Sequence, residues 1–400
     1  MTFFDFKVSL VGVIENLDDS YGGPAVSLPT LMLSLEKVGV EVCVVSSGNA
    51  RTDVNTVVSE CNLRWLVHNT IGPIKLRFAP KIKRTLEKIV KENPDSVIYS
   101  NNLWNYCALF PMLVSRRRRI PHIIAVRGEL FPWCLKQGRL RKLISWWLFQ
   151  KMALNSAALI HVTSKDELQA VRDLGITSPV ALIPHGVTPI GLDVAQKWQE
   201  LKQRKQEKRK ILFMSRLHEK KGIDNLLSAW QNIESKLPDW ELDLAGPDYG
   251  GYEKKINQLK SSGLLKNVEY LGMLKNKEKF QAFYDASIFI LPSYTENFGV
   301  VIGEALSAGV PVITTENTPW EDISVHELGV VMRGNSVEEI QKSLLDMTRL
   351  DPTELSKKGE KASRFIADNF TWNVSANKMA EVIERVRMNK NMADLEYVYI

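Results

Sequence analysis

Residues 291–315 read LPSYTENFGVVIGEALSAGVPVITT, and this stretch decides the fold. The run "SIFILPS" that leads into it has the length and composition of a buried strand. "YTENFG" is a polar loop, "VVIGEALSAG" is a short helix ending near Gly309, and "PVITT" is the next strand. Strand, loop, helix and strand in that order make a βαβ unit of a parallel sheet. Two carboxylates with seven residues between them interrupt this apolar segment, Glu296 on the loop and Glu304 inside the helix. Ligands of open parallel sheets bind beyond the carboxyl ends of the strands, so this loop is a candidate site.

The same alternation runs on both sides. "KVSLVGVI", "VEVCVVSS", "SVIYSNN", "HIIAVRG", "ALIHVTS" and "PVALIPHG" are strand-like, with helical patterns between several of them. Residues 193–210, polar and rich in charge, read as a solvated helix or linker. The alternation then restarts with "KILFMSR", "ELDLAG", "NVEYLG", "SIFILPS", "PVITT" and "LGVVM". The expected fold class is α/β, with two doubly wound halves joined near residue 190. A chain of 400 residues with 44% hydrophobic composition has enough for two ordinary cores.

Lys and Arg number 52 against 46 Asp and Glu, a net charge of +6. That mild excess permits an anionic ligand or membrane surface and does not call for nucleic acid. The cysteines, Cys43, Cys61, Cys107 and Cys134, are scattered without a C-x-x-C pair, so neither a zinc site nor a disulfide framework is expected. The first apolar run breaks at Glu15, too short for a secretory signal, and no run reaches the ~18 residues of a membrane span. The expected location is the cytoplasm, with peripheral contact at the inner face of the cytoplasmic membrane as an option.

Three clusters follow strands. In "FMSRLHEKKG", Arg216 ends a strand and Lys221 precedes Gly222 at a helix start, where two cations and a helix N-terminus can clamp a diphosphate. In the opening stretch, amides of Phe298, Gly299 and Val300 lie at a helix start. The two glutamates can each accept hydrogen bonds from a sugar diol, or can simply cap the helix and pair at the surface. In "SYGGPA", Gly22 and Gly23 let backbone approach a ligand, although the dinucleotide pattern G-x-G-x-x-G is absent.

Together, "SRLHEKKG", "ENFGVVIGEALSAGVPVITT", "TPWEDI", "GGPA" and "PHGV" resemble the retaining family-4 glycosyltransferases of the GT-B fold, in particular the bacterial enzymes that build surface polysaccharides such as O-antigen. The likeness runs from about residue 7 to 388; Ser215 stands where the family often has glycine. It implies two Rossmann-like domains facing a central cleft, an acceptor domain over 1–188, a nucleotide-sugar domain over 189–370, and a terminal helix in 371–400 that crosses back. It implies that Arg216 and Lys221 hold the donor diphosphate, Glu304 the ribose and Glu296 the sugar hydroxyls. Gly299 and Val300, with Phe298 beside them, would offer amides, and Gly22 and Gly23 would approach the phosphates. Arg127 in "AVRGEL" stands where many relatives carry a cleft histidine and is a further candidate; Glu129 beside it has no clear role.

The implied partners are a UDP- or GDP-linked sugar donor and a glycan acceptor such as one carried on undecaprenyl diphosphate. No cofactor or metal is implied: "ELDLAG" offers Glu241 and Asp243, but in an alternating strand that reads as structural. A sugar-nucleotide epimerase of the same fold and a non-catalytic nucleotide-sugar-binding protein are the alternative readings. His185 reads as part of a junction turn, and Arg116, Arg117, Arg118 and Arg119 as a solvated helix end. The Trp- and Arg-rich residues 138–154 are expected to pack on the sheet, with membrane contact as the alternative.

Overall fold

The computed structural model describes residues 9–16, 23–48, 63–71, 78–101, 103–190, 193–204 and 208–399. The chain forms two compact units, one of residues 1–186 with 372–400, the other of residues 187–371.

In the first unit the strands are β1 (Leu10–Ile14), β2 (Val42–Ser47), β3 (Trp65–His68), β4 (Val97–Ser100), β5 (His122–Ala125), β6 (Leu159–Val162) and β7 (Val180–Leu182), with the late β14 (Val398–Tyr399). Their order is β14-β7-β6-β5-β4-β1-β2-β3, parallel except for β14 against β7. The short strands β3 and β14 escape the sequence reading, because neither has the continuous apolar run of the others. One face of the sheet is covered by the helices Gly23–Lys37 and Trp372–Arg387, whose Leu28, Leu35, Met379 and Ile383 share a core with Leu10 and Val44. The helices Lys81–Glu92 and Tyr106–Arg118 pack on the other face against Val11 and Val45.

In the second unit β8 (Arg209–Met214), β9 (Trp240–Ala245), β10 (Val268–Gly272), β11 (Ala286–Leu291), β12 (Val312–Thr315) and β13 (Gly329–Met332) are all parallel, in the order β10-β9-β8-β11-β12-β13. Numbered within each unit, the first six strands of both sheets follow the doubly wound order 3-2-1-4-5-6, which β7 and β14 extend in the first unit. The order reverses between β1 and β4 in the first unit and between β8 and β11 in the second. A crevice opens beyond such a reversal, because neighbouring crossover helices leave on opposite faces.

Residues 193–210, read as a solvated helix or linker, do contain a helix, but the expectation that it is solvated is corrected. The helix Val194–Gln203 buries Lys197 and Trp198 completely, and β8 begins at Arg209. Its charge-rich composition hides an inward stripe of Val194, Lys197, Trp198 and Leu201 at helical spacing. Trp198 Nε1 donates to the Gly309 carbonyl at 3.1 Å, and Lys197 Nζ donates to the carbonyls of Phe283 and Ala308 at 2.9 and 3.1 Å.

Candidate active site

The loops after β8 and β11 meet at the reversal point of the second sheet. The carbonyl of Lys220 accepts from the Tyr294 amide at 3.0 Å. A side chain at Gly222, where φ is +71°, would put its Cβ 2.0 Å from the Pro292 carbonyl oxygen. Only glycine satisfies both the backbone angle and the approach. Thr314 and Thr315 on β12 fix the second loop by donating to the carbonyls of Leu291 and Ser293 at 3.0 and 2.8 Å.

Two helices start here, Ile223–Ile233 and Val300–Ser307, each with a left-handed glycine at its N-cap, Gly222 or Gly299, and neither with a side-chain cap. Helix starts built this way direct backbone N–H groups and the positive dipole end outward, as anions require. Phe298 is placed differently from its neighbours. Its ring packs against Trp320 at 5.1 Å, and its carbonyl accepts from Trp320 Nε1 at 2.5 Å, so the residue anchors the loop in the core.

Lys221 and Glu296 face each other. Nζ lies 2.5 Å from Oε1, which also accepts from Ser293 Oγ at 2.7 Å, and both side chains are nine-tenths covered. Arg216 is exposed and lines an open pocket of about 220 Å³ with Ser215, Gly246, Lys279, Val301 and Glu304. Glu304 pairs there with Lys279 at 2.6 Å. Each carboxylate therefore sits in a cationic setting that a diphosphate and hydroxyl groups could enter together. Lys279 and Ser293 are members of this constellation that the sequence reading misses. Lys279 is one of two lysines in the helix Asn276–Asp285, and only the fold pairs it with a residue 25 positions on.

In the first unit Arg127 follows β5 with φ +50°, an uncommon backbone for a side chain of this size. Its guanidinium donates to Asn101 Oδ1 at 2.6 Å, to Tyr99 Oη at 2.8 Å and to His185 Nε2 at 3.0 Å. The tautomers behind it follow from the geometry. His161 Nε2 lies 2.8 Å from the Ile183 carbonyl and must donate, so Nδ1 accepts from the Tyr99 hydroxyl at 2.7 Å, leaving Tyr99 Oη to accept from Arg127. Burial, with the Arg127 charge beside it, lowers the His161 pKa to about 3; burial first and then Arg127 hold that of His185 well below its ordinary value. Both rings stay neutral.

Glu167, fully buried, receives the amides of Gly128 and Thr163 and the Thr163 hydroxyl, and so pins the loop that carries Arg127. Burial raises the Glu167 pKa, against these hydrogen bonds and Arg127. Glu129 Oε1 accepts from the Leu103 amide at 3.4 Å, which ties two loops of the same unit. Gly23 starts the helix Gly23–Lys37 and is exposed, while Gly22 lies outside the described residues. His185 is buried on Arg127 and 5.9 Å from the Trp372 ring, more than a plain turn would need. Asp243 is buried and paired with Lys210 at 2.8 Å; among the described residues no cluster of metal-ligating side chains is found.

Comparison with known proteins agrees with this architecture. Residues 22–186 match the glycosyl transferase 4-like domain and residues 194–365 match the glycosyl transferases group 1. The chain belongs to the family-4 glycosyltransferases of the GT-B fold. It is 25% identical over 181 residues to a GDP-mannose-dependent monoacylated alpha-(1-6)-phosphatidylinositol monomannoside mannosyltransferase of Corynebacterium glutamicum, covering 44% of this chain and 46% of that one. The chain thus spans about half the length of this relative. Sucrose-phosphate synthase from Thermosynechococcus elongatus superposes with a TM-score of 0.72 at 19% identity, over 96% of this chain and all of the other. Anabaena HepE, solved with UDP and glucose, gives 0.70 at 18%, over 94% and 99%.

Proposed function

We propose that the protein is a retaining glycosyltransferase that moves a hexose-type sugar from a UDP- or GDP-linked donor to a glycan acceptor of bacterial surface polysaccharide synthesis. One observation carries the reading. The two loops at the β8/β11 reversal bring Lys221 against Glu296 and put Arg216 and Glu304 on one pocket, beside two glycine-capped helix starts. Arg216, Lys221 and the helix starts suit a diphosphate. Glu304, oriented by Lys279, suits the ribose diol, and Glu296 the donor sugar. The named mannosyltransferase relative acts with GDP-mannose on a lipid-borne sugar, and HepE holds UDP and glucose, which supports this class of donor and a lipid-linked acceptor.

In the reaction, the bond between the anomeric carbon and the diphosphate oxygen breaks, with its electron pair leaving on the diphosphate. The acceptor oxygen forms the new bond on the same face and gives its proton to the departing diphosphate. Arg216 and Lys221 stabilise the charge that grows on that leaving group, which lowers the barrier because the interaction is stronger in the transition state. Those two cations perform the task without a metal.

A thermal-shift screen of UDP- and GDP-sugars, followed by transfer with the stabilising donor, tests this. An α-donor gives an α-linked product by its anomeric coupling constant in NMR, and activity survives EDTA. A β-linked product overturns retention, and loss with EDTA restored by Mg²⁺ overturns the metal-free route. An epimerised free sugar would establish the epimerase reading instead.

A further inference from the structure

The helical run over 139–155 is apolar on two sides. Its inward side is spent on packing: Ala153 and Leu154 are buried, and Trp146 and Phe149 lie against the same core as Leu130 and Val162. Its outward side carries Leu140, Leu143, Ile144, Trp147, Leu148 and Met152, all exposed, with Leu140, Trp147 and Leu148 at 72%, 74% and 72%. Spacings of three and four make this one stripe. The wider π turn Trp146–Gln150 slows the rotation of the chain and returns Met152 to the side of Ile144. The expectation that this segment simply packs on the sheet therefore holds for one side and fails for the other. Scattered exposed leucines are ordinary, but a continuous stripe with an exposed tryptophan is a contact surface.

Charge states what it contacts. Between residues 96 and 165 the chain has 11 Lys and Arg and a single carboxylate, Glu129. Arg139 and Arg141 are exposed at one end of the stripe, and the basic last turn of the helix Tyr106–Arg118 lies at the other. Arg116 Nη1 sits 2.7 Å from Met152 Sδ, which joins the two features directly. We infer that this stripe docks on an anionic phospholipid surface, with Trp147 and Leu148 inserted at headgroup level and the arginines on lipid phosphates. A second copy of the chain fits poorly, because a two-fold contact would set the arginine rims against each other. No helix among the described residues is long and apolar enough to cross a membrane, so the contact is peripheral. The surface is independent of the sugar chemistry proposed above.

The test is flotation of the full chain with vesicles. Vesicles of equal parts phosphatidylglycerol and phosphatidylcholine should carry it at low salt and release it at high salt, and pure phosphatidylcholine should not carry it. Trp147→Ser with Leu148→Ser, and separately Arg139→Gln with Arg141→Gln, should each weaken binding about tenfold or more, with unchanged melting temperature. Brominated lipid should quench part of the wild-type tryptophan emission, and Trp147→Phe should keep binding while losing that part. Donor-induced thermal shift should persist in every variant, which separates a failure here from a failure of the transferase reading. Absence of binding to anionic vesicles, equal binding to neutral ones, or a dimer that the stripe variant dissolves would each overturn the inference.

Discussion

The two units share one strand order and stabilise charge in opposite ways. The second pairs it: Lys221 with Glu296, Lys279 with Glu304, Lys210 with Asp243. The first has ion pairs at its surface, but around Arg127 its buried groups are neutral hydrogen-bonding partners. His122 and His161 are buried uncharged, and Arg127 donates to the neutral Asn101, Tyr99 and His185. Paired groups can exchange partners when a ligand brings both phosphates and hydroxyls. A guanidinium held by neutral acceptors keeps its full charge toward whatever anion approaches, and its geometry is set in advance. One fold thus supports an adaptable site in one copy and a fixed cation in the other.

The sharpest way to break this comparison is at the cation clamp. Lys221→Ala and Arg216→Ala should each lower turnover about 10²–10³-fold, whereas the exposed Lys208→Ala should leave it near normal. Lys221→Ala also strands the covered Glu296, a change of about 3–5 kcal/mol in stability. Lys221→Ala with Glu296→Gln should restore the melting temperature without restoring turnover. Recovery of both would show that the pair is structural and no clamp exists.

The acid response should divide the units. For His122 and His161 burial lowers the folded-state pKa to about 3, while the unfolded chain titrates near the ordinary ~6.5. Between those values the unfolded state binds more protons, so stability falls as pH falls. By pH 4.5 each buried imidazole should cost the first unit about 2–3 kcal/mol. Glu167, whose pKa burial raises, acts in the opposite sense over its own range, so single variants are the cleaner measure. Hydrogen exchange should open β5 and β6 before β11 and β12 on acidification, and His122→Gln should flatten the dependence. Simultaneous opening at every pH would contradict the division.

The smaller test is of the second unit's pocket. Glu304→Ala should weaken donor binding by tens-fold, since each lost charge-assisted hydrogen bond is worth roughly 1.5–3 kcal/mol. Glu304→Gln, which keeps one acceptor, should lose less. Calorimetric affinity equal to wild type in folded Glu304→Ala would remove the residue from the donor site.

What the sequence disclosed and what it withheld divide along physical lines. The central strands of both sheets were legible because buried parallel strands are continuous apolar runs, as "SIFILPS" is. The edge strands β3 and β14 were not, since neither is buried on both faces. Arg216, Lys221, Glu296 and Glu304 stood out because short motifs follow strands. Lys279, Tyr99, His161 and Glu167 did not, because their meaning rests on partners that only the folded chain brings near, 62 residues apart in the case of Tyr99 and His161. The outward stripe over 139–155 was ambiguous for another reason. Periodicity shows that a helix has an apolar side, and a helix with two such sides hides the second behind the first.

Lys197 gives the finest test, because it is a fully buried lysine of the second unit whose amine donates to carbonyls and not to a carboxylate. It sits at the carboxyl ends of the helices Asn276–Asp285 and Val300–Ser307, donating to the carbonyls of Phe283 and Ala308. Helix C-termini favour a cation, but burial wins and lowers the pKa to about 7. Below about 7 the lysine is charged in both folded and unfolded chains and carries its whole burial cost. Between about 7 and the ordinary ~10.4 the unfolded chain holds the extra proton, so stability rises with pH. The slope is about 1.4 kcal/mol per pH unit, and its window does not overlap the acid window of the first unit. Urea unfolding followed by exchange in β11 and β12 peptides should therefore show the second unit gaining about 1 kcal/mol from pH 7.5 to 8.5. Lys197→Met should abolish that gain. It keeps the volume of the stem, so a loss of slope with folding intact would trace the effect to the proton, and an unchanged slope would place it elsewhere.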